Sequence, residues 1–336
     1  MLKHSMLPGI FAATLAAVSW SLSFIVPFVI GRYSLFDFAL VEFVFSGILG
    51  LVLLRHDAAA VRLLQPRDWV AACSLGLIGY VGYFLAVMGA AVTAGPVIAP
   101  AFVGLVPVVL GVAGNLRQRS VPFRTLALPL SLAAAGLLLV NGSGLLNSAG
   151  APAKSLLLGI PLALLAVTFW TLFGLMNQSA LARRPQMNVG VWSALIMVGA
   201  GLAMLVFLPL GLAMGLFEIP RLGLHWDLAG PLLMWAAGLA VVSNVGGATA
   251  WTFASQRLPV ALAAQMITIE PTAATILGLL VHRRWPSAAE LIGMAVLLTG
   301  VLIAIGVFTR ANALPVPAAA APSSLRTSGS SATVRS

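Results

Sequence analysis

Long apolar runs broken by short polar connections dominate the chain. Ten such runs can be drawn, at about 9–31, 35–54, 69–91, 96–115, 121–140, 155–177, 189–214, 228–253, 259–281 and 287–308. A helix needs about 20 residues to cross the hydrocarbon core of a bilayer, so each run is long enough for a membrane span. The first follows Lys3 and His4 as a signal peptide would. It is longer than a signal core and lacks a small-residue cleavage site, so it is read as a helix. From about Thr309 to Ser336 the chain turns rich in Pro, Ala and Ser. Such a stretch cannot bury a core and is expected to be disordered.

Composition agrees with the pattern. Sixty per cent of residues are hydrophobic (60%), only 8% are charged, and mean hydropathy is +1.06. No soluble domain of this length could hide that much apolar surface, which leaves an all-α integral membrane protein in a lipid bilayer. The formal charge of +10 would suit nucleic acid, but the positions of the cations suggest topology instead. With the N-terminus in the cytoplasm, inside loops and tails hold Lys3, Arg55, Arg62, Arg67, Arg117, Arg119, Arg124, Arg183, Arg184, Arg257, Arg310, Arg326 and Arg335. The outside holds Arg32, Lys154, Arg221 and the Arg283–Arg284 pair, giving 13 cations inside and 5 outside. The positive-inside rule then places both termini in the cytoplasm, with the outside arginine pair running against the bias. The single Cys73 cannot form an intrachain disulfide, and no Cys/His cluster calls for a metal or haem, so no cofactor is expected.

The spans repeat. Subtracting 164 carries Pro271 onto Pro107, Gly278 onto Gly114, Arg283 onto Arg119, Pro286 onto Pro122, Gly246 onto Gly82 and Gly300 onto Gly136. Six ungapped matches at one offset argue for an internal repeat. At an offset of 150, Gly9 and Trp20 fall on Gly159 and Trp170, where AAVSWSL faces AVTFWTL. The longer connection around Met214–Asp227 absorbs the difference. Five helices per half is an odd number, so the expected fold is ten transmembrane helices in two inverted-topology five-helix repeats. The division predicted is 1–140 for the first repeat, 141–154 for a linker, 155–308 for the second repeat and 309–336 for the tail. Inverted repeats place a small-molecule site near the midplane, between the halves.

Candidate chemistry sits inside the spans. Glu42 lies in LFDFALVEFVFSGILG, among large apolar side chains, with Asp37 nearer the membrane surface. An intramembrane carboxyl is costly, and it either bonds a neighbouring helix, exchanges a proton for a substrate or binds a cationic group. Glu270 precedes Pro271 near the middle of LPVALAAQMITIEPTAATILGLLVHRRWP, and serves either coupling or the backbone groups that the proline disturbs. Pro107 is its partner in the first half. Trp20 and Trp170 are too deep for an interfacial belt, and with Tyr80 and Tyr83 they either pack helices together or wall a substrate cavity. Trp69, Trp226, Trp285 and Trp251 suit the belt. Ser23, Asn244 and Gln265 are polar contacts for a substrate or for interhelical bonds. No P-loop, no nucleophile–His–Asp set and no carbonyl filter motif is present, which argues against direct ATP use, hydrolysis and potassium conduction.

The ordered segments LAAVSWSLSF and SQRLPVALAAQMITIEPTAATILGLL resemble the EamA type of the drug/metabolite transporter superfamily, over about residues 9–308. Departures are Glu42, where the family often has a basic residue, and Arg119 and Arg283 at approximately the helix ends where it tends to place Glu. The resemblance implies a multi-pass secondary transporter of the bacterial inner membrane, often an exporter of amino acids or other metabolites. A proton-coupled exporter of lipophilic cations is the second reading. A lipid-modifying membrane enzyme is the third, and it lacks a catalytic cluster.

Overall fold

The computed structural model describes residues 6–94, 102–147, 153–281 and 283–313. Lys3, His4, Gly95, His282, the middle of the predicted linker, and the chain beyond Ala313 with Arg326 and Arg335 lie outside the described residues. All regular structure among the described residues is helical. In chain order the main helices are α1 (Met6–Val29), α2 (Leu35–His56), α3 (Pro66–Thr93), α4 (Val106–Gln118), α5 (Phe123–Asn141), α6 (Leu157–Arg183), α7 (Val189–Ala213), α8 (Trp226–Ser255), α9 (Val260–Val281) and α10 (Ala288–Ala311). Nine of them, all but α4, are long and apolar enough to cross a membrane. α4 is the described end of the run predicted at 96–115. Around the predicted linker, helix extends over Phe123–Asn147 on one side and Ala153–Arg183 on the other.

The packing follows the repeat. α2 lies along α7, α4 along α9 and α5 along α10, each helix on its own counterpart. The remaining strong contacts come in exchanged pairs: α3 with α6 and α8 with α1, α3 with α7 and α8 with α2, α4 with α6 and α9 with α1. Backbone irregularities recur at the offset read from sequence. α3 widens into a π-helix over Leu77–Gly82, and α8 does so over Ala240–Gly247. A turn at 104–105 precedes α4, and one at 267–268 divides α9. Arg119 and Arg283 both adopt left-handed backbone, each with φ 49°, where α4 and α9 end. Such a conformation is costly for a residue with a Cβ, so its recurrence marks two copies of one structural device.

Close helix approach depends on glycine where the two halves meet. A Cβ at Gly136 of α5 would stand 2.9 Å from the Gly293 carbonyl oxygen of α10. In the exchanged contact, a Cβ at Gly300 would stand 3.2 Å from the Pro129 carbonyl oxygen. Within lipid no hydrophobic force drives helices together, so this backbone proximity and its dispersion contacts supply the cohesion.

Pro271 does not kink a continuous helix as the sequence suggested. α9 is broken before it, and Pro271 sits in the first turn of the segment Ile269–Val281. Pro107 likewise occupies the first turn of α4. A missing N–H costs little there, because first-turn donors have no intrahelical partner. The outside pair Arg283–Arg284 is also explained. Arg284 is held by Glu290 in a two-pronged ion pair, which removes one of its two charges.

Asp37, expected near the membrane surface, stands in the first turn of α2 and is fully buried by protein. Its carboxylate accepts from Ser34 N at 2.8 Å, closing a capping box at the start of α2. It also accepts from the backbone N–H groups of Glu218 and Ile219, each at 3.0 Å, so it ties the α7–α8 connection to α2. Asp37→Ala strands three donors, and denaturation in detergent is expected to show a stability loss of about 3 kcal/mol or more. A loss under about 1 kcal/mol would mean that water serves those donors equally well.

Candidate functional site

The two repeat-related tryptophans meet at the centre. Trp20 and Trp170 form an edge-to-face pair with ring centroids 5.2 Å apart and planes at 87°. Trp170 also contacts Tyr83, at 4.9 Å, and Phe173, at 5.2 Å. Phe173 leads to Tyr80, at 5.6 Å. Four of the predicted site residues, Trp20, Tyr80, Tyr83 and Trp170, therefore form one aromatic cluster across α1, α3 and α6. Trp251 of α8 completes it at 5.6 Å from Trp20, and it is buried rather than facing outward as a belt residue would. The sequence reading missed it because its place late in the span resembles that of a belt residue. Its signal is the small-residue run just before it. A Cβ at Gly247 would stand 2.7 Å from Trp20 Nε1, so the glycine opens the space that the Trp20 indole fills.

The widened turn in α8 anchors this wall. A π-turn shifts the regular carbonyl ladder and frees backbone groups for side chains. Trp20 Nε1 donates to the Ser243 carbonyl at 3.1 Å, and Ser243 Oγ returns a bond to the Ser19 carbonyl. Next along the turn, Asn244 Nδ2 donates to Ser46 Oγ at 2.9 Å, and the Asn244 side chain also lies beside the Glu42 carboxyl. Glu42 is 4% exposed. It thus belongs to a polar link among α2 and α8, behind the aromatic wall.

Glu270 is placed differently. It is half-buried, it heads the second segment of α9, and no hydrogen bond to its carboxyl is found among the described residues. It lies close enough to Tyr83 for the two to interact electrostatically. The backbone around it is served by others. Glu270 N donates to the Ile267 carbonyl at 2.9 Å, and Thr268 Oγ1 to the Gln265 carbonyl at 2.7 Å. Thr275 Oγ1 donates to the Pro271 carbonyl at 2.8 Å. The carboxyl is thus left unbonded near the Tyr83 ring. Gln265 lies in the other segment of α9, fully buried, with neither amide atom hydrogen-bonded. Ser23 sits in the 3-10 turn Leu22–Ile25 of α1 and is exposed, outside the aromatic cluster. Three ring donors in the cluster, Trp170 Nε1, Trp251 Nε1 and Tyr80 Oη, are buried without a partner. Unmet donors each cost about 1–3 kcal/mol in such surroundings.

One end of the cluster is sealed. Gln118 Nε2 donates to Gln178 Oε1 at 2.6 Å, and Gln178 Nε2 donates to the Leu258 carbonyl at 2.7 Å. Val260 N closes the ring by donating to Gln118 Oε1 at 2.9 Å. The two backbone groups flank Pro259, and the glutamines clasp α4, α6 and the α8–α9 connection together. Above them lies a void of about 10 Å³, the size of a water, lined by Gln178, Trp251, Ser255 and Val260 among others. The first segment of α9, Val260–Met266, is entirely buried, whereas the second buries only Thr272 and Leu279. The bundle is therefore tight at the glutamine end and looser at the Glu270 end.

Comparison with known proteins fits this architecture. Residues 157–306 match the EamA-like transporter family. Over 317 residues, covering 89% of this chain and 95% of the relative, the chain is 28% identical to inner membrane protein YtfF of Escherichia coli (strain K12). A protein crystal structure superposes with a TM-score of 0.69 at 18% identity, over 91% of this chain and 100% of that one, and shows the same fold. The second half of the chain is thus similar to a transporter family, and the whole chain shares its fold with a solved protein. The likeness to inner membrane protein YtfF runs through both halves.

Gly247→Val is expected to push Trp20 off the Ser243 carbonyl and to destabilise the protein by about 1–3 kcal/mol through overpacking. The intrinsic fluorescence spectrum should shift with it. An unchanged spectrum and stability would show that the Trp20 pocket is slack.

Proposed function

We propose that the chain is a secondary-active exporter in the bacterial inner membrane, moving a small amphipathic metabolite that carries an amino group, such as an amino acid or a related compound. The carrying observation is the Glu270 carboxyl, half-buried and without a hydrogen-bond partner, near Tyr83 of the aromatic cluster. A carboxylate and aromatic faces together recognise an ammonium group by charge and cation–π attraction. The buried ring donors Trp170 Nε1, Trp251 Nε1 and Tyr80 Oη suit acceptors elsewhere on the same molecule. Glu42 and Asn244 hold α2 and α8 in place behind the wall. Gln265 remains a candidate contact deeper in the bundle, and Ser23 one on the looser side.

The proposed cycle uses the repeat division 1–140 and 155–308. Gln118 and Gln178 form the gate at the end assigned to the cytoplasm, and the described conformation is the one closed there. Opening needs the three hydrogen bonds of the clasp to part while the looser end closes over Glu270. Exchange of a proton at Glu270 would couple the cycle. Lipophilic cations satisfy the same carboxylate and rings, so they form the second reading.

Thermal stabilisation of the purified protein, screened with amino acids, simple amines and tetraphenylphosphonium, separates the two readings. Glu270→Gln should abolish the response to amino compounds and cut their flux in proteoliposomes at least about tenfold, with the fold retained. Glu42→Gln should lower stability more than it lowers the response. An undiminished response in the Glu270 variant defeats the site assignment. A response to tetraphenylphosphonium alone moves the second reading to first place.

The gate has its own test. In a Cys73→Ala background, Ser255→Cys places a thiol beside the void. Adding Gln178→Leu should raise its labelling by a membrane-impermeant maleimide about tenfold, from one side only. Equal rates with and without the glutamine would show that the clasp is not the barrier.

A further inference from the structure

The connection between α4 and α5 carries Arg117, Arg119 and Arg124, all exposed. Among the described residues no ion pair involves any of them. The sequence offers little to neutralise them, since no Asp or Glu occurs between Asp68 and Glu218. The repeat-related connection is treated differently. There Arg284 is paired with Glu290, and at the offset of 164 the place of Glu290 is taken by Leu126. The first half has the arginines without the acid.

Arg119 lines a crevice of about 510 Å³ together with Asn115, Leu116, Ser120, Val121, Pro122 and Phe123, the last of which Arg124 follows in the chain. Its floor is built rather than loose. Asn115 is 1% exposed, donates from Nδ2 to the Val121 carbonyl at 2.9 Å, and accepts from Val121 N at 3.2 Å. The left-handed backbone of Arg119 turns the chain sharply at the rim. Leu116, 61% exposed, and Phe123, 44% exposed, supply an apolar flank that continues onto the helices. A cationic rim with an apolar flank, at the end of membrane helices, suits a molecule with an anionic head and a hydrocarbon tail. Basic pockets between membrane helices bind such headgroups.

We propose that this crevice binds an anionic phospholipid. Its phosphate faces Arg119 and Arg124, and an acyl chain lies along Leu116 and Phe123. The site adjoins the clasp, since Arg119 follows Gln118 in the chain and Ser120 Oγ lies 3.5 Å from Gln118 Oε1. The proposal does not depend on the substrate reading above.

The test is thermal unfolding of the full chain in a neutral detergent, titrated with short-chain phosphatidylglycerol, short-chain phosphatidylcholine or inorganic phosphate. Phosphatidylglycerol should raise Tm by about 5 °C at saturation, with no comparable rise from the other two. Arg119→Asn with Arg124→Gln should remove the rise, Asn being chosen because it tolerates left-handed backbone. Arg55→Gln with Arg62→Gln, which leaves the crevice intact, should keep it. Equal shifts with phosphatidylcholine, a shift with phosphate alone, or a full shift in the Arg119/Arg124 variant each overturns the proposal. Should that variant not purify, the wild-type titration at about 0.5 M salt decides. Loss of the shift supports the headgroup contact, and an unchanged shift overturns it.

Discussion

Inside hydrocarbon every backbone donor and acceptor needs a partner from the protein itself, and this constraint shapes everything unusual in the bundle. The chain departs from regular α-helix at the widened turns of α3 and α8 and at the breaks before α4 and within α9. Each departure releases backbone groups where lipid would make them expensive, and many are met by side chains that do a second job. The Ser243 carbonyl takes the Trp20 indole and so locates the wall. The groups on either side of Pro259 take two glutamines and so close an end. Threonines around Pro271 hold their local carbonyls, which leaves the Glu270 carboxyl unused by structure. Irregular backbone at membrane depth is thus concentrated between the two halves, where protein covers it.

That arrangement separates two carboxyls that look alike in sequence. Both are glutamates inside apolar runs. Glu42 has an asparagine of the neighbouring helix α8 beside its carboxyl, and its backbone carbonyl accepts from Ser46 Oγ of its own helix. Glu270 has a ring beside it and nothing bonded to it. The aromatic cluster lies on the Glu270 side of this division, because α1, α3, α6 and α8 converge there through the exchanged contacts of the two repeats.

Much of the fold was legible from the letters. Apolar run length gave the spans, and the 164-residue offset anticipated both the paired widened turns and the paired left-handed arginines. The pairing of Trp20 with Trp170 was legible as well, since equal depth in two repeats brings residues toward the shared axis. What could not be read was tertiary. Trp251 looked interfacial because depth along a helix does not reveal which face meets a neighbour. The burial of Asp37 was hidden because its partners, the N–H groups of Glu218 and Ile219, lie about half the chain away. The Pro271 kink failed because sequence shows a proline but not whether the helix has restarted just before it. The glutamine clasp went unseen, since amides at helix ends are ordinary until four of them close a ring.

The clasp also breaks the symmetry of the machine that contains it. The repeat offsets carry Gln118 onto His282 and Gln178 onto Phe28. An imidazole and a phenyl ring cannot reproduce two interlocked amides around a proline, so sealing the opposite end must draw on different forces. A pseudo-symmetric fold permits two mirror-image postures, but it does not make them equally populated. Here the asymmetry is written at four side chains, and exchanging them between halves would be a way to move the clasp to the other end while leaving the architecture alone.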